Sequence, residues 1–380
     1  MSKRAVLLAV LTAVTAIVTV AAPAGAATPA TRFTAVTPQR VLDTRDGTGV
    51  GVEGDHLVLD LSGSVPAGTA AVVLNLTGVE ANVDSFVTVW PDGQQRPSTS
   101  NLNVSQRQTA ANLTTVSLPD NRKLDIAVRG DLGVVADLQG YYAGNGSGYV
   151  GHSPQRVMDT RTGRGPLGPH ESTVLDLSSV LPPTATAVVF NLTATNTTAP
   201  TFVTAWPDGV AQPAASSLNL APGWTRANLV TVAVPPSRKI DLYNHLGSVD
   251  LIADVSGFYV SDAGDWFFPG VPQRVVDTRD SHPVGPGGVL AVDVSPQTVL
   301  SADAVAVNIT ATDATTSTFL TAWPGDSTRP DASTLNLGAG ETVPNMAIVS
   351  LWQRSFSVSN LAGSVDVVVD IAGYFSANRP

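Results

Sequence analysis

The sequence predicts an all-β protein, three tandem antiparallel β-sandwiches with a jelly roll as one form open to each, and two observations carry that prediction. One is an internal repeat. Pro38-Gln-Arg-Val-Leu-Asp-Thr-Arg45 returns as Pro154-Gln-Arg-Val-Met-Asp-Thr-Arg161 and as Pro272-Gln-Arg-Val-Val-Asp-Thr-Arg279, each preceded by an aromatic residue (Phe33, Tyr149, Phe267). A copy is about 115 residues long, enough for one domain with its own core, and such a repeat sets the domain count. The other observation is the pattern inside a copy. Short runs of Val, Thr, Leu and Ala lie between Gly, Pro, Asp and Asn, with no sustained helical period.

Residues 1–27 read as a cleaved export signal: Lys3 and Arg4, the apolar run 5–20, then Ala24-Gly-Ala26 as a small-residue cleavage site. The three β repeats follow as 28–143, 149–260 and 266–380, joined by the flexible Gly144-Asn-Gly-Ser-Gly148 and by Ser261-Asp-Ala-Gly-Asp265. In the first repeat, strands are expected near 40–44, 57–61, 71–77, 86–90, 100–104, 112–118, 124–128 and 134–139. Val72, Leu74 and Leu76 give the third of these one apolar face, and the other face carries Asn75 and Thr77. The same alternation recurs at Val188, Phe190 and Leu192 and at Val305, Val307 and Ile309, opposite Asn191 and Asn308. Asn is a poor strand former, so its return at one position predicts an amide bonded to a neighbouring loop or bulge. The next strand, Phe86-Val-Thr-Val-Trp-Pro91, ends at Pro and a turn. Each copy expected to fold as a complete sandwich closes on an apolar strand carrying one acid: Asp137, Asp254 or Asp370.

The composition narrows the function classes. There is no Cys, so an exported chain must be stabilised by burial rather than by cross-links. The formal net charge of −10 disfavours nucleic acid and anionic membranes as partners, and no membrane insertion is expected after signal cleavage. The five His residues do not coincide between repeats and match no zinc motif. Calcium stays open at loops such as Asp43-Thr-Arg-Asp46, although a charged Arg sits among the oxygens. No cofactor is expected.

Pro-x-Arg-x-x-Asp-Thr-Arg, Asn-x-Thr, Phe-x-Thr-x-Trp-Pro, Ser-x-Leu-Asn and Asp-x-x-Gly-Tyr-Phe together resemble a β-rich repeat of exported proteins from high-GC Gram-positive bacteria. The resemblance covers essentially the whole chain after the signal. Such repeats occur alone in tandem or beside cell-wall hydrolase domains, so the resemblance implies an extracellular accessory or surface role and supplies no catalytic residues.

Three sets of residues stand out. Arg45, Arg161 and Arg279 are expected to pair with Asp137, Asp254 and Asp370 in a structural charge network, because an unpaired acid within apolar alternation is costly. Trp90, Trp206 and Trp323 are either core side chains or stacking platforms for sugar rings. With Asn103, Asn219 and Asn336 they form the candidate binding set. The leading expectation is a secreted, non-enzymatic protein that associates with an extracellular glycan or cell-wall polymer through multivalent weak contacts. The alternatives are a glycan-active enzyme using a carboxylate pair such as Asp43 and Asp137, and a structural matrix or coat component. An Arg beside the acid argues against the enzyme, since it holds the carboxyl ionised.

Overall fold

The computed structural model describes residues 29–378, so the expected signal over 1–27 lies outside the described residues. The first repeat folds as β1 (Arg32–Asp43), β2 (Gly51–Glu53), β3 (His56–Asp60), β4 (Ala71–Val79), β5 (Ser85–Pro91), β6 (Leu102–Val104), β7 (Ala110–Ser117), β8 (Lys123–Arg129) and β9 (Gly133–Ala143). They form two antiparallel sheets, in the order β1-β9-β4-β7 and β2-β3-β8-β5-β6. Both other repeats reproduce the two sheets in the same order, without a counterpart of β2. The chain is thus all-β, with antiparallel sandwiches as the sequence predicts.

The alternation explains the layers. Val72, Leu74 and Leu76 of β4 meet Val87 and Val89 of β5 and Leu124 and Ile126 of β8 in a core between the sheets, and each other repeat has its own such core. The repeated Pro falls where it does least damage. Pro38 lies on an edge strand, within a register shift between Ala35 and Gln39, and Pro154 and Pro272 lie in the same shift of their repeats.

A fourth core belongs to all three repeats. The outer side of each first sheet, with Ala71 and Val73, Ala187 and Val189, and Ala304 and Ala306, is buried against the other two. Six aromatic residues close its end: Phe33, Tyr142, Tyr149, Tyr259, Phe267 and Phe375, with the Tyr142 and Tyr259 hydroxyls 2.5 Å apart. At this end the first segments of the repeats bridge one another in a closed triangle, Thr31 to Phe267, Phe33 to Ser147 and Tyr149 to Asp265. The molecule is therefore a ring of three sandwiches with a common centre.

Three Asn ladders repeat this closure deeper in the ring. Asn75 donates to the Ser216 carbonyl of the second repeat, Asn191 to Ser333 of the third, and Asn308 to Ser100 of the first. Asn228, Asn345 and Asn112 then donate to the side-chain oxygens of Asn75, Asn191 and Asn308. Their own oxygens accept from the backbone N–H of Leu113, Leu229 and Met346 across the same joint. The joint between the third and first repeats, which no linker spans, uses the same bonds as the two that linkers span.

Candidate functional site: the clefts between repeats

The charge network exists with a different pairing from the one expected. Asp137 is fully buried, and its carboxylate accepts from Arg40 at 2.6 Å, not from Arg45. Arg156 holds Asp254 at 2.8 Å and Arg274 holds Asp370 at 2.9 Å in the same way. The cause is register. Arg40 stands directly opposite Asp137 across the β1–β9 ladder, as Arg156 faces Asp254 and Arg274 faces Asp370. Arg45 lies beyond the strand end and folds back onto Asp43 at 2.6 Å, a bond that Arg161 makes to Asp159 and Arg279 to Asp277. Arg45 thereby holds the Asp43 carboxyl down at about 2, whereas burial pushes Asp137 upward against the pull of Arg40.

The tryptophans are neither in the core between the sheets nor open platforms. Trp90 lies on the outer face of its sheet with Phe86 and Thr88, and the loop that follows β5 roofs it, leaving it 4% exposed. Its indole N–H donates to the Gln94 carbonyl in that loop, and Trp206 and Trp323 donate likewise to Val210 and Ser327. A stacking platform needs a free ring face, which the roof removes. The roof is also the ring's joint: the carbonyls that Asn75, Asn191 and Asn308 reach belong to these loops.

Recesses open between the roof loop of one repeat and the β1 end of its neighbour. The one between the first and second repeats holds about 460 Å³ and is lined by Arg40, Arg45, Phe202, Gln212, Asn219 and Tyr243 among others. Its counterpart between the third and first repeats holds about 330 Å³ and presents Arg274, Arg279, Phe86, Ser98, Asn103 and Thr310. Asn103 and Asn219 thus reach clefts, half-buried, with Ser100 and Ser216 donating to their side-chain oxygens, and Asn336 takes the same bond from Ser333. Between the second and third repeats an acid, Asp331, occupies the place of Ala214 and Ser98, and its charge acts on Arg156 and Arg161. Among the described residues no three His, Asp or Glu side chains gather as a metal set, and no helix is long and apolar enough to cross a membrane.

The sequence reading missed Arg40, although the repeat shows its Arg in every copy; only the register across β9 decides between it and Arg45. It also missed Phe202 and Tyr243 as cleft walls. The mismatch of Tyr243 with Ala127 and Ser359 in the other copies was the available signal.

No family model matches the chain, and no curated protein sequence matches it. Among solved structures it is similar to a chain of the Sulfolobus turreted icosahedral virus, with 11% identity, 92% of each chain covered and a TM-score of 0.19. A structure described as the triple jelly roll fold and turret assembly in an archaeal virus gives 8% identity over 92% of this chain and 90% of that one, with a TM-score of 0.20. The N-terminal CBM22-1–CBM22-2 tandem domain of Paenibacillus barcinonensis Xyn10C gives 11% identity over 60% of this chain and 94% of that one, with a TM-score of 0.19. At TM-scores this low the whole chains do not superpose, and none of the three lends this chain a function. Fold and clefts define the class: a ring of three antiparallel sandwiches with polar and aromatic recesses at its joints.

Proposed function

We propose that the protein is an exported, non-enzymatic binding protein that attaches to a repetitive extracellular polymer, a cell-wall or matrix glycan, through the clefts between its repeats. The observation that supports this reading is the recurrence of one recess at two joints, each combining an aromatic side chain, an Asn amide and a pair of Arg. Hydroxyl-rich ligands suit such walls, because amides and guanidinium groups bond their oxygens while rings cover their apolar faces. The Arg charges are already matched by the Asp residues they hold. A neutral polymer therefore fits the clefts better than an anionic one. Two recesses on one rigid body convert the second contact into an intramolecular event, which can raise avidity by about 10²–10⁴.

The carboxylate pair of the enzyme reading lacks the needed freedom. Asp137 has no exposed surface, and both it and Asp43 are engaged by Arg. A hydrolase acid must reach its substrate in an open cleft.

The test is retention of the full chain on insoluble cell-wall material together with a glycan array. Phe86→Ala or Phe202→Ala alone should weaken retention, and the two together should abolish it. No retention by the unaltered chain, with concentration-dependent sedimentation of large species, would favour a structural coat or matrix instead. Product release that Asp137→Ala abolishes would make the protein an enzyme.

A further inference from the structure

The three repeats act as controls for one another, and one point of the second repeat departs from both of its siblings in three residues at once. His170 stands in a tight turn at φ +56°, where the other repeats place Gly54 at +60° and Gly287 at +67°. An L side chain avoids this region and Gly does not, so a His there is a local strain that the surrounding fold sustains. Such strain is a reason to look for function. Tyr243 occupies the place of Ala127 and Ser359, and His245 that of Arg129 and Leu361.

These three side chains converge. Nδ1 of His170 lies 2.9 Å from the Tyr243 hydroxyl, and Nδ1 of His245 lies 3.4 Å from the same oxygen. The imidazoles stand nearly perpendicular, at 83°, with centroids 5.3 Å apart. Strand pairing holds Tyr243, and backbone hydrogen bonds hold the turn of His170 and the strand end at His245. Tyr243 sits in the strand Lys239–Asn244, paired with Ser172 and Thr204 on its two sides. The His170 backbone N–H donates to the His245 carbonyl, and that of His245 to Phe202. Phe202 also lies flat on the His245 ring, 4.4 Å away at 17°, and fixes its plane.

We propose that His170, Tyr243 and His245 form a site for one divalent transition ion of borderline softness, Zn²⁺ or Cu²⁺. Two imidazole nitrogens 2.9 and 3.4 Å from a phenol oxygen match the spacing of adjacent donors around such an ion, whose bonds are about 2.0–2.2 Å long. Imidazole selects these metals over Ca²⁺ and Mg²⁺, which prefer all-oxygen sets. On binding, the phenol gives its proton to solvent as the metal–oxygen bond forms, and the remaining positions stay open to water at the exposed His170 side. The site lies at the wall of the larger cleft, which Phe202 and Tyr243 also line, so an ion there would offer a coordination position to whatever enters.

The experiment is calorimetric titration of the full chain with Zn²⁺, repeated with Mg²⁺ as a control, together with absorption spectra in Cu²⁺. One saturable equivalent of Zn²⁺ is expected, with no heat from Mg²⁺, and Cu²⁺ should produce a phenolate-to-metal charge-transfer band. His170→Gly restores the residue that both siblings use at this turn, so its Tm should not fall while Zn²⁺ affinity drops at least tenfold. Tyr243→Phe should remove the band. Absence of saturable Zn²⁺ binding, or binding unchanged in His170→Gly, would overturn the site. A bound Cu²⁺ without the band would overturn it as drawn, by removing the phenol from the ligand set.

Discussion

The buried Asp137 carboxyl is held by Arg40, which reaches it from the opposite strand and is itself 29% exposed. Deleting the cation leaves a buried carboxylate without a partner, which typically costs about 3–5 kcal/mol. Arg45 is half in solvent, and the Asp43 it binds keeps Arg40 as a second partner, so its deletion should cost less. Urea unfolding should therefore show Arg40→Ala far more destabilised than Arg45→Ala, and equal losses would contradict the assigned pairing. Two acids respond to pH in opposite senses. The folded state holds Asp43 at about 2, below the usual 3.8, so its stabilisation is present above the usual value and lost as pH falls toward 2. Burial, with Asp303 nearby, pushes Asp265 up to about 6. The unfolded chain ionises Asp265 near 3.8, so between about 4 and 6 the folded form holds more protons and stability falls as pH rises. Thermal midpoints recorded across that window should lose this downward slope in Asp265→Asn.

At the scale of the element, β7 and its counterparts are the seams of the ring. Asn228 is 1% exposed, donates to the Ser217 carbonyl and to Asn75, and accepts from the Leu113 N–H. Asn228→Leu strands three buried polar groups at about 1–3 kcal/mol each. A loss of at least about 3 kcal/mol in chemical denaturation is the expected outcome, and a loss below about 1 would mean that water replaces the ladder. Much of this was legible. Seven of the eight expected strands lie within about four residues of their places, whereas β1 begins at Arg32, well before the expected 40, and β2 is not among those expected. The Asn of β4 does bond a loop, because period-two patterning and the poor strand propensity of Asn are local facts. The identity of the loop was not legible, since it belongs to the next repeat. The signal for the shared core was present, in that Ala71 and Val73 make the second face of β4 apolar over its first half, as buried sheets require. Arg40 and Arg45 could not be separated by sequence because β1 carries two register shifts, and each shift moves the pairing. Arg122, Arg238 and Arg354 were also passed over. They sit at positive φ in all three repeats and reach carbonyls of the turn after β3 or its counterpart, at Ser62, Ser178 and Ser295, so the repeat itself marks them.

Across the whole molecule, the fourth core makes the repeats depend on one another. An isolated first repeat would expose Phe33, Ala71, Val73, Leu113 and Tyr142, so full-chain unfolding should be one cooperative transition rather than three. Because the unlinked joint is built like the linked ones, covalent continuity at 144–146 adds little to it. A protease site inserted there and cut should leave a single native particle by size exclusion that separates into two chains only in denaturant. Two particles under native conditions would show that the linker, not the interface, holds the joint. The triangle of backbone bridges also sets an order of events in time. Thr31 and Phe267 are 236 positions apart, about twice the separation at either other corner, and doubling a loop adds only about 0.6 kcal/mol to its closure. That increment is small in equilibrium, but it falls on the barrier to folding, before any contact rewards it. The corner where the two ends of the ring meet should be the last to form from the unfolded chain. It should also be the first to breathe, with the amides of Thr31 and Phe267 exchanging for deuterium ahead of those of Ser147 and Tyr149.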